Sequence, residues 1–350
     1  MLPYVTPDLP GIGGEIKRSP ADFVVEEVPL YEPTDAGEHV YVRVTREGMA
    51  TRDLVLGVCG LFAIPEVDVG YAGMKDKQAR ATQTISLRLP AADPAEVARR
   101  IAAELPVEVA WARRHVNKLR KGHLLGNRFR VAVRATAPVA EAETRARAIL
   151  SALATTGLPN YYGEQRFGRD GDNVQRGRQV LDGRGPRQRW LRDLLLSAWQ
   201  SHLFNEWLAA RIRDGRFAQL IAGDIARKSD TGGIFDVADI EAERPRFERD
   251  EISYTGPIYG SRMRWATGEA GDRERAVFAA TGVTEDMLRR ARLDGSRRLA
   301  RIRPFAAEVA AEGDGLTFAF TLPKGAYATV LLRELRKSDV VHTESDSDDE

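Results

Sequence analysis

Cysteine occurs once in the 350 residues, at Cys59, so no intramolecular disulfide and no cysteine-rich zinc or iron–sulfur site is possible. The setting Leu54-Val55-Leu56-Gly57-Val58-Cys59-Gly60-Leu61 marks it as a small buried hydrophobe, and a lone thiol fits a reducing compartment. The five histidines show no metal-ligand spacing, and His202 reads as a structural residue of a Trp-rich helix, so no metal is expected. No apolar run approaches about 18 residues, and no charged segment precedes an apolar one at the start. The expectation is a soluble, untargeted, cytoplasmic protein without membrane contact. Gly11-Ile12-Gly13-Gly14 is glycine-rich but follows no strand. It lacks the third glycine of a dinucleotide fingerprint and the Gly-Lys-Ser/Thr of a phosphate loop, so it reads as a flexible entry with no nucleotide role. A zinc deaminase would need a Pro-Cys-x-x-Cys pair that one cysteine cannot supply.

Acids are missing where bases gather. From Trp111 to Arg134 there are eight lysines and arginines and no acid: Arg113, Arg114, Lys118, Arg120, Lys121, Arg128, Arg130 and Arg134. From Tyr161 to Arg192 eight arginines face four acids. Trp111, Phe129, Tyr161, Tyr162 and Phe167 lie among them, which suggests a nucleic-acid surface beneath a net charge of only +1. The last 13 residues, Ser338 to Glu350, carry six acids and read as a disordered tail. A hydrophobic fraction of 43% supports well-filled cores, and the length suits two domains.

Along the chain, strands and helices alternate as in a two-layer α+β protein. Val40, Val42 and Val44 share one face of a strand. Ala50 to Phe62 is an apolar helix, and Asp93-Pro94 caps another that runs to about Glu104. Pro106 to His115 and Asn127 to Ala135 read as strands, Val139 to Thr155 as a helix. Tyr161 to Arg189 has little periodicity and reads as a long functional loop. Arg189 to Arg213 is a helix with Leu196, Trp199, Leu203, Trp207 and Ala210 on one stripe, and Arg273 to Leu293 is helical. A strand at Leu316 to Leu322 and a helix near Tyr327 to Arg336 return to the texture of the first 155 residues, which makes the middle an inserted domain. Between two β-like runs, Gly73-Met74-Lys75-Asp76-Lys77 sets one carboxylate among cations. Nearby positive charge favours ionisation and suits a nucleophile or general base, although the same residues also make ordinary polar turns.

Four ordered motifs resemble the TruD family of tRNA pseudouridine synthases: Ile16-Lys17 with Asp22-Phe23-Val24-Val25-Glu26-Glu27; Gly73-Met74-Lys75-Asp76 with Ala79 and Gln83; Asn160-Tyr161-Tyr162-Gly163-Glu164-Gln165-Arg166-Phe167-Gly168; and Leu322-Pro323-Lys324-Gly325-Ala326-Tyr327. Ala81 departs from a position where the family often has Thr. The resemblance implies a pseudouridine-synthase core, a mixed or antiparallel central sheet flanked by helices, from 1–157 and 304–337. It also implies an inserted α+β TRUD domain from 158–303, with RNA in a basic cleft between the two. It implies a cofactor-free isomerase, acting as a monomer on tRNA, with uridine at position thirteen of the D arm converted to pseudouridine. Asp76 would be the catalytic carboxylate, as a nucleophile or a ribose-proton base, and Lys17 its charge partner. Asn127 would hydrogen-bond near it and Phe129 would stack on the flipped base. Tyr327, Arg166, Gln165 and Lys75 would bind substrate. A catalytically idle RNA-binding factor on the same scaffold is the competing reading, against which Asp76, Lys17 and Asn127 argue.

Overall fold

The computed structural model describes residues 1–16, 18–168 and 170–338; Lys17 and the acidic residues beyond Ser338 lie outside the described residues. In chain order the first elements are β1 (Phe23–Pro29), β2 (His39–Glu47), α1 (Thr51–Phe62), β3 (Val69–Tyr71), β4 (Arg80–Arg88), α2 (Pro94–Glu104), β5 (Val107–His115), β6 (Leu124–Val133) and α3 (Val139–Thr156). The middle holds β7 (Leu158–Pro159), α4 (Asn173–Leu181), α5 (Arg189–Arg213), β8 (Ile225–Lys228), β9 (Ile234–Asp236), α6 (Ile240–Glu248), β10 (Ile252–Ile258), α7 (Gly268–Ala279), α8 (Glu285–Arg290), β11 (Ser296–Leu299) and β12 (Arg301–Ile302). Then come β13 (Phe305–Glu312), β14 (Gly315–Pro323) and α9 (Ala328–Arg336). Two compact units result: a sheet unit of 11–150 with 304–325, and a second unit of 1–10, 151–303 and 326–338.

The sheet unit carries an eight-stranded mixed sheet in the order β13-β14-β6-β1-β4-β2-β5, with β3 also on β4. Only the β1–β4 pair is parallel among its pairings; the others are antiparallel. Valine alternation on β2 places Val40, Val42 and Val44 inward beside Ile85 and Leu87 of β4. Leu54, Val55 and Val58 of α1 and Val97 and Ile101 of α2 close that core. Asp93 caps α2 by accepting from the Ala95 N–H at 3.3 Å, with Pro94 at the first helical position, where its missing N–H costs nothing. Gly126 of β6 is obligatory because a Cβ there would lie 2.2 Å from the Leu322 carbonyl oxygen of β14.

In the second unit, α5 is a 25-residue spine whose Leu195, Leu196, Trp199, Leu203, Phe204, Trp207 and Leu208 are buried. A four-stranded sheet, β11-β10-β8-β9, and helices α4, α6, α7 and α8 belong to the same unit. The segment expected as one long loop instead contains α4. Its apolar positions are few, but Gly177 lets the Leu195 carbonyl of α5 approach where a Cβ would meet it at 2.2 Å. The expected helix over Arg273 to Leu293 is two helices, α7 and α8, with Gly282 at φ +64° between them. The last helix groups with this unit, not with the strands before it. Buried Glu334 of α9 accepts from the Val5 N–H at 2.8 Å, the Thr6 hydroxyl at 2.9 Å and Lys337 Nζ at 2.9 Å.

Arg211 on α5 is fully buried and forks onto both oxygens of buried Asp224 at 2.7 Å each, with its guanidinium 3.6 Å from the centre of the Tyr254 ring. Removing one member of such a pair strands the other charge in a low dielectric. Asp224→Ala is expected to cost about 3–5 kcal/mol of unfolding free energy, measured by urea denaturation, whereas a change near zero would show the pair to be solvated.

Candidate active site

Asp76 sits half-buried on the 72–79 connection that joins β3 to β4, and its Oδ1 accepts from the Gln78 N–H at 3.1 Å, which locks a local turn around the carboxylate. The residue before it does the anchoring. Lys75 donates its N–H to Thr51 Oγ1 at 2.9 Å, its carbonyl accepts from Arg46 Nη2 at 3.2 Å, and its Nζ meets Glu27 Oε2 at 2.8 Å with both side chains almost fully buried. Lys75 therefore turns inward onto a carboxylate, unlike the substrate-binding lysine the resemblance implies. Thr51, the first residue of α1, uses its hydroxyl completely: it also accepts from Arg46 at 2.9 Å and donates to Gln83 Oε1 at 3.1 Å. Arg46 is itself fully buried. Burial pushes its guanidinium down to about 10, while the carboxylates of Asp53 and Asp76 partly oppose the shift, so at neutral pH it remains a cation beside Asp76.

The sheet brings two further expected residues to the same place. Register aligns Phe320, Phe129, Val25, Ala81 and Arg46 in one row across β14, β6, β1, β4 and β2, and partners in a row share a face. Two residues along, and so on the same face, a row holds Leu322, Asn127 and Glu27. Glu27 is thus at once the register partner of Asn127 and the carboxylate that grips Lys75, so the Asp76 loop is tied to the strand beside Asn127. The Asn127 Oδ1 is buried and accepts no hydrogen bond, and Gln83 Nε2, Arg46 Nε and Arg46 Nη1 are likewise buried and unpartnered. Buried polar atoms without partners are uncommon and cluster where a ligand completes them. Phe129 is buried, with its ring stacked on Phe320 at 5.2 Å and edge-on to Phe23 at 5.9 Å. Those neighbours fix it as part of an aromatic wall beside Asn127. Lys17, expected to pair with Asp76, lies outside the described residues.

The remaining expected residues belong to the second unit. Tyr327, the residue before α9, has its ring 6.0 Å from that of Tyr162, and burial raises its phenol above the ordinary range. Arg298 stands 4.0 Å from the centre of the Tyr162 ring and donates to Asn160 Oδ1 at 2.8 Å. Arg166 lies 5.8 Å from the same ring and donates to Ser197 and Ser201 on α5. Gln165 is exposed on the short helical turn Glu164–Phe167. The side-chain amide of Asn205 holds Tyr162 from both sides, accepting from its N–H and donating to its carbonyl, each at 2.9 Å. Sequence reasoning named Glu27 only within a motif and missed Arg46, Thr51, Asn205 and Arg298, which act through partners brought together by the fold.

The acid-free stretch is corrected by the fold. Other strands and their connections supply its missing carboxylates: Asp35 to Arg113 at 2.6 Å, Glu26 to Arg128 at 3.0 Å, Glu312 to Arg130 at 2.7 Å and Asp314 to Arg134 at 3.0 Å. Arg114 and Lys118 donate to backbone carbonyls of Gly37 and Val67.

Thr51→Val keeps the shape of the residue but removes one hydroxyl that serves three partners. It is expected to lower stability by about 1–3 kcal/mol and to speed amide exchange in 73–78 above that of β2 and β4. Unchanged exchange there would show that the loop is held by Glu27 alone.

The family model for tRNA pseudouridine synthase D (TruD) matches residues 1–184 and 186–335. A curated relative from Anaeromyxobacter dehalogenans, a tRNA pseudouridine synthase D, is 47% identical over 354 residues, covering 99% of each chain. Another so named, from Thermus thermophilus, is 42% identical over 347 residues, covering 98% of this chain and 95% of its own. The crystal structure of a protein from Methanosarcina mazei, described as tRNA pseudouridine synthase D, superposes with a TM-score of 0.78, 22% identity and 96% coverage of each chain, which speaks to the fold alone. With the model matched over nearly its whole length and such relatives covered end to end, the chain belongs to the TruD family of tRNA pseudouridine synthases.

Proposed function

We propose that Asp76 is the carboxylate that drives isomerisation, and that the substrate uridine is position thirteen in the D arm of tRNA. As a TruD-family member the protein is an isomerase that converts uridine to pseudouridine in tRNA. The reaction balances within one nucleotide: the bond from ribose C1′ to uracil N1 breaks, the ring turns, C5 bonds to C1′, and the C5 proton is exchanged for one on N1. An ionised carboxylate serves either route into this chemistry, attack or proton abstraction.

The observation that carries the reading is the fixation of the loop. Lys75 is tied by its N–H, its carbonyl and its ammonium to three different elements, so the adjacent Asp76 has little freedom. A catalytic group held in this way loses less entropy when the substrate arrives. Lys75 is thus a positioning residue, and Lys17, from the family resemblance, is read as the charge partner of Asp76. A uridine inside a helical stack must be extruded first, at a cost of a few kcal/mol. Asn127 offers a buried, unpartnered amide oxygen to a uracil N–H, and Phe129 gives the apolar wall beside it. Tyr327, Arg166 and Gln165 of the second unit are read as RNA contacts. Among the described residues no helix is long and apolar enough to cross a membrane. A tRNA substrate supports a cytoplasmic, monomeric reading.

In an unmodified tRNA transcript, Asp76→Asn is expected to bind with wild-type affinity and to lose at least about 10²–10⁴-fold in pseudouridine formation, read by mass spectrometry of the modified nucleotide. Near wild-type conversion by the variant would sink the assignment of Asp76. Binding without conversion by the wild type would favour the idle RNA-binding factor.

A further inference from the structure

We propose that the first turn of α5, centred on Trp190, is a second RNA-contact surface that stacks an unpaired tRNA base outside the site of reaction. This rests on the tRNA reading above. Trp190 is 59% exposed and Leu194, one turn later, 40%. The other four tryptophans are covered to different degrees: Trp199 and Trp207 are buried in α5, and Trp111 and Trp265 are half-buried. A bare indole is costly to leave in water, and here it does not stand alone. The fully buried face of this helix begins at Leu195; in the turn before it Leu191 packs against the core, whereas Trp190 and Leu194 are exposed.

Arginines outnumber acids in the segment around it. Arg184, Arg187, Arg189 and Arg192 are exposed within a segment of nine residues, against Asp182 and Asp193. Arg184 shares Asp182 with Arg178, and Arg189 reaches Asp193 only at 3.8 Å. Arg187 and Arg192 make no ion pair among the described residues. In the acid-free stretch Trp111 to Arg134, four of the eight cations meet carboxylates from elsewhere in the chain, whereas Arg187 and Arg192 meet none among the described residues. An exposed planar apolar ring in a segment with two unpaired guanidinium groups is complementary to a base and its flanking phosphates. Stacking on an aromatic ring is sequence-tolerant because every base has a π-face, and arginines add phosphate contacts that fix register without reading sequence. A second copy of this chain would present the same cations to the patch, and a neutral apolar partner would leave the arginines without a role.

The test is binding of the unmodified tRNA transcript to full-length protein, followed by fluorescence anisotropy of labelled RNA and by turnover. Trp190→Ala is expected to weaken binding and raise KM roughly 5- to 100-fold with kcat unchanged, and Trp190→Phe to restore most of the loss. Arg187→Ala with Arg192→Ala should lower the slope of log affinity against log salt by roughly 0.9 per arginine. Trp190 emission should be quenched by the RNA in wild type and the quench absent in Trp190→Phe. Equal binding by wild type and Trp190→Ala, with equal unfolding midpoints, would overturn the proposal. So would unchanged RNA binding with a shift from dimer to monomer by sedimentation, which assigns the patch to a second copy. Asp76→Asn serves as the background for the binding arm: failure of wild-type turnover counts against the catalytic reading, whereas loss of the Trp190 effect on binding counts against this one.

Discussion

The ion pair between Lys75 and Glu27 is the constraint on which the site depends. Two buried charges 2.8 Å apart gain little net stability, because removing both from water offsets most of their attraction. What the pair does secure is a single geometry. Glu27 has its second oxygen occupied by the Thr84 N–H at 3.3 Å, and Lys75 has its peptide held on both sides by Thr51 and Arg46. A different loop conformation would leave at least one charge buried alone, at a cost of several kcal/mol. The loop therefore has one accessible state, and Asp76 inherits it.

The second unit repeats the device with arginine. Arg211 is matched by Asp224, Arg297 by Glu274 at 2.6 Å, and Arg301 by Asp250 at 3.2 Å and by the Thr155 and Thr156 carbonyls. Guanidinium groups suit this use since their fixed fork satisfies several acceptors at once. The chain's many arginines thus divide into internal cross-links and a smaller set that faces solvent. Composition alone cannot separate the two, because the carboxylates that claim an arginine arrive from distant strands.

That same distance limits what the chain discloses before it folds. Helix α5 was legible to its ends, since Leu196, Trp199, Leu203 and Trp207 repeat with a helical period and need no outside partner. The alternating strands β2, β4 and β14 were legible for the corresponding reason. Helix α6 was not: it carries Pro245 inside, and its start depends on Asp239 accepting from the Glu241 and Ala242 N–H groups. Helix α4 has too few apolar positions to declare itself without α5 beside it. In the site, Asp76 and Asn127 could be named from motifs, whereas Thr51 and Arg46 could not. A threonine opening an apolar helix reads as a cap, and an arginine ending a strand reads as solvated, until the fold closes both over Lys75.

The unpartnered atoms around this network complete the argument. Asn127 Oδ1, Gln83 Nε2 and two nitrogens of Arg46 are buried without partners, and each such atom costs roughly 1–3 kcal/mol in the free protein. Arg46 Nη2 and Gln83 Oε1 have protein partners, so it is the remaining polar atoms of these side chains that packing alone would not retain. Their retention is accounted for if the missing partners come with the substrate. Extruding a uridine forfeits its stacking and pairing, and a site whose polar groups were desolvated when the protein folded need not strip water from them again on binding. The free-energy cost of the orphaned groups in the empty protein then becomes a gain on filling the site, which offsets part of the cost of taking the base out of its helix.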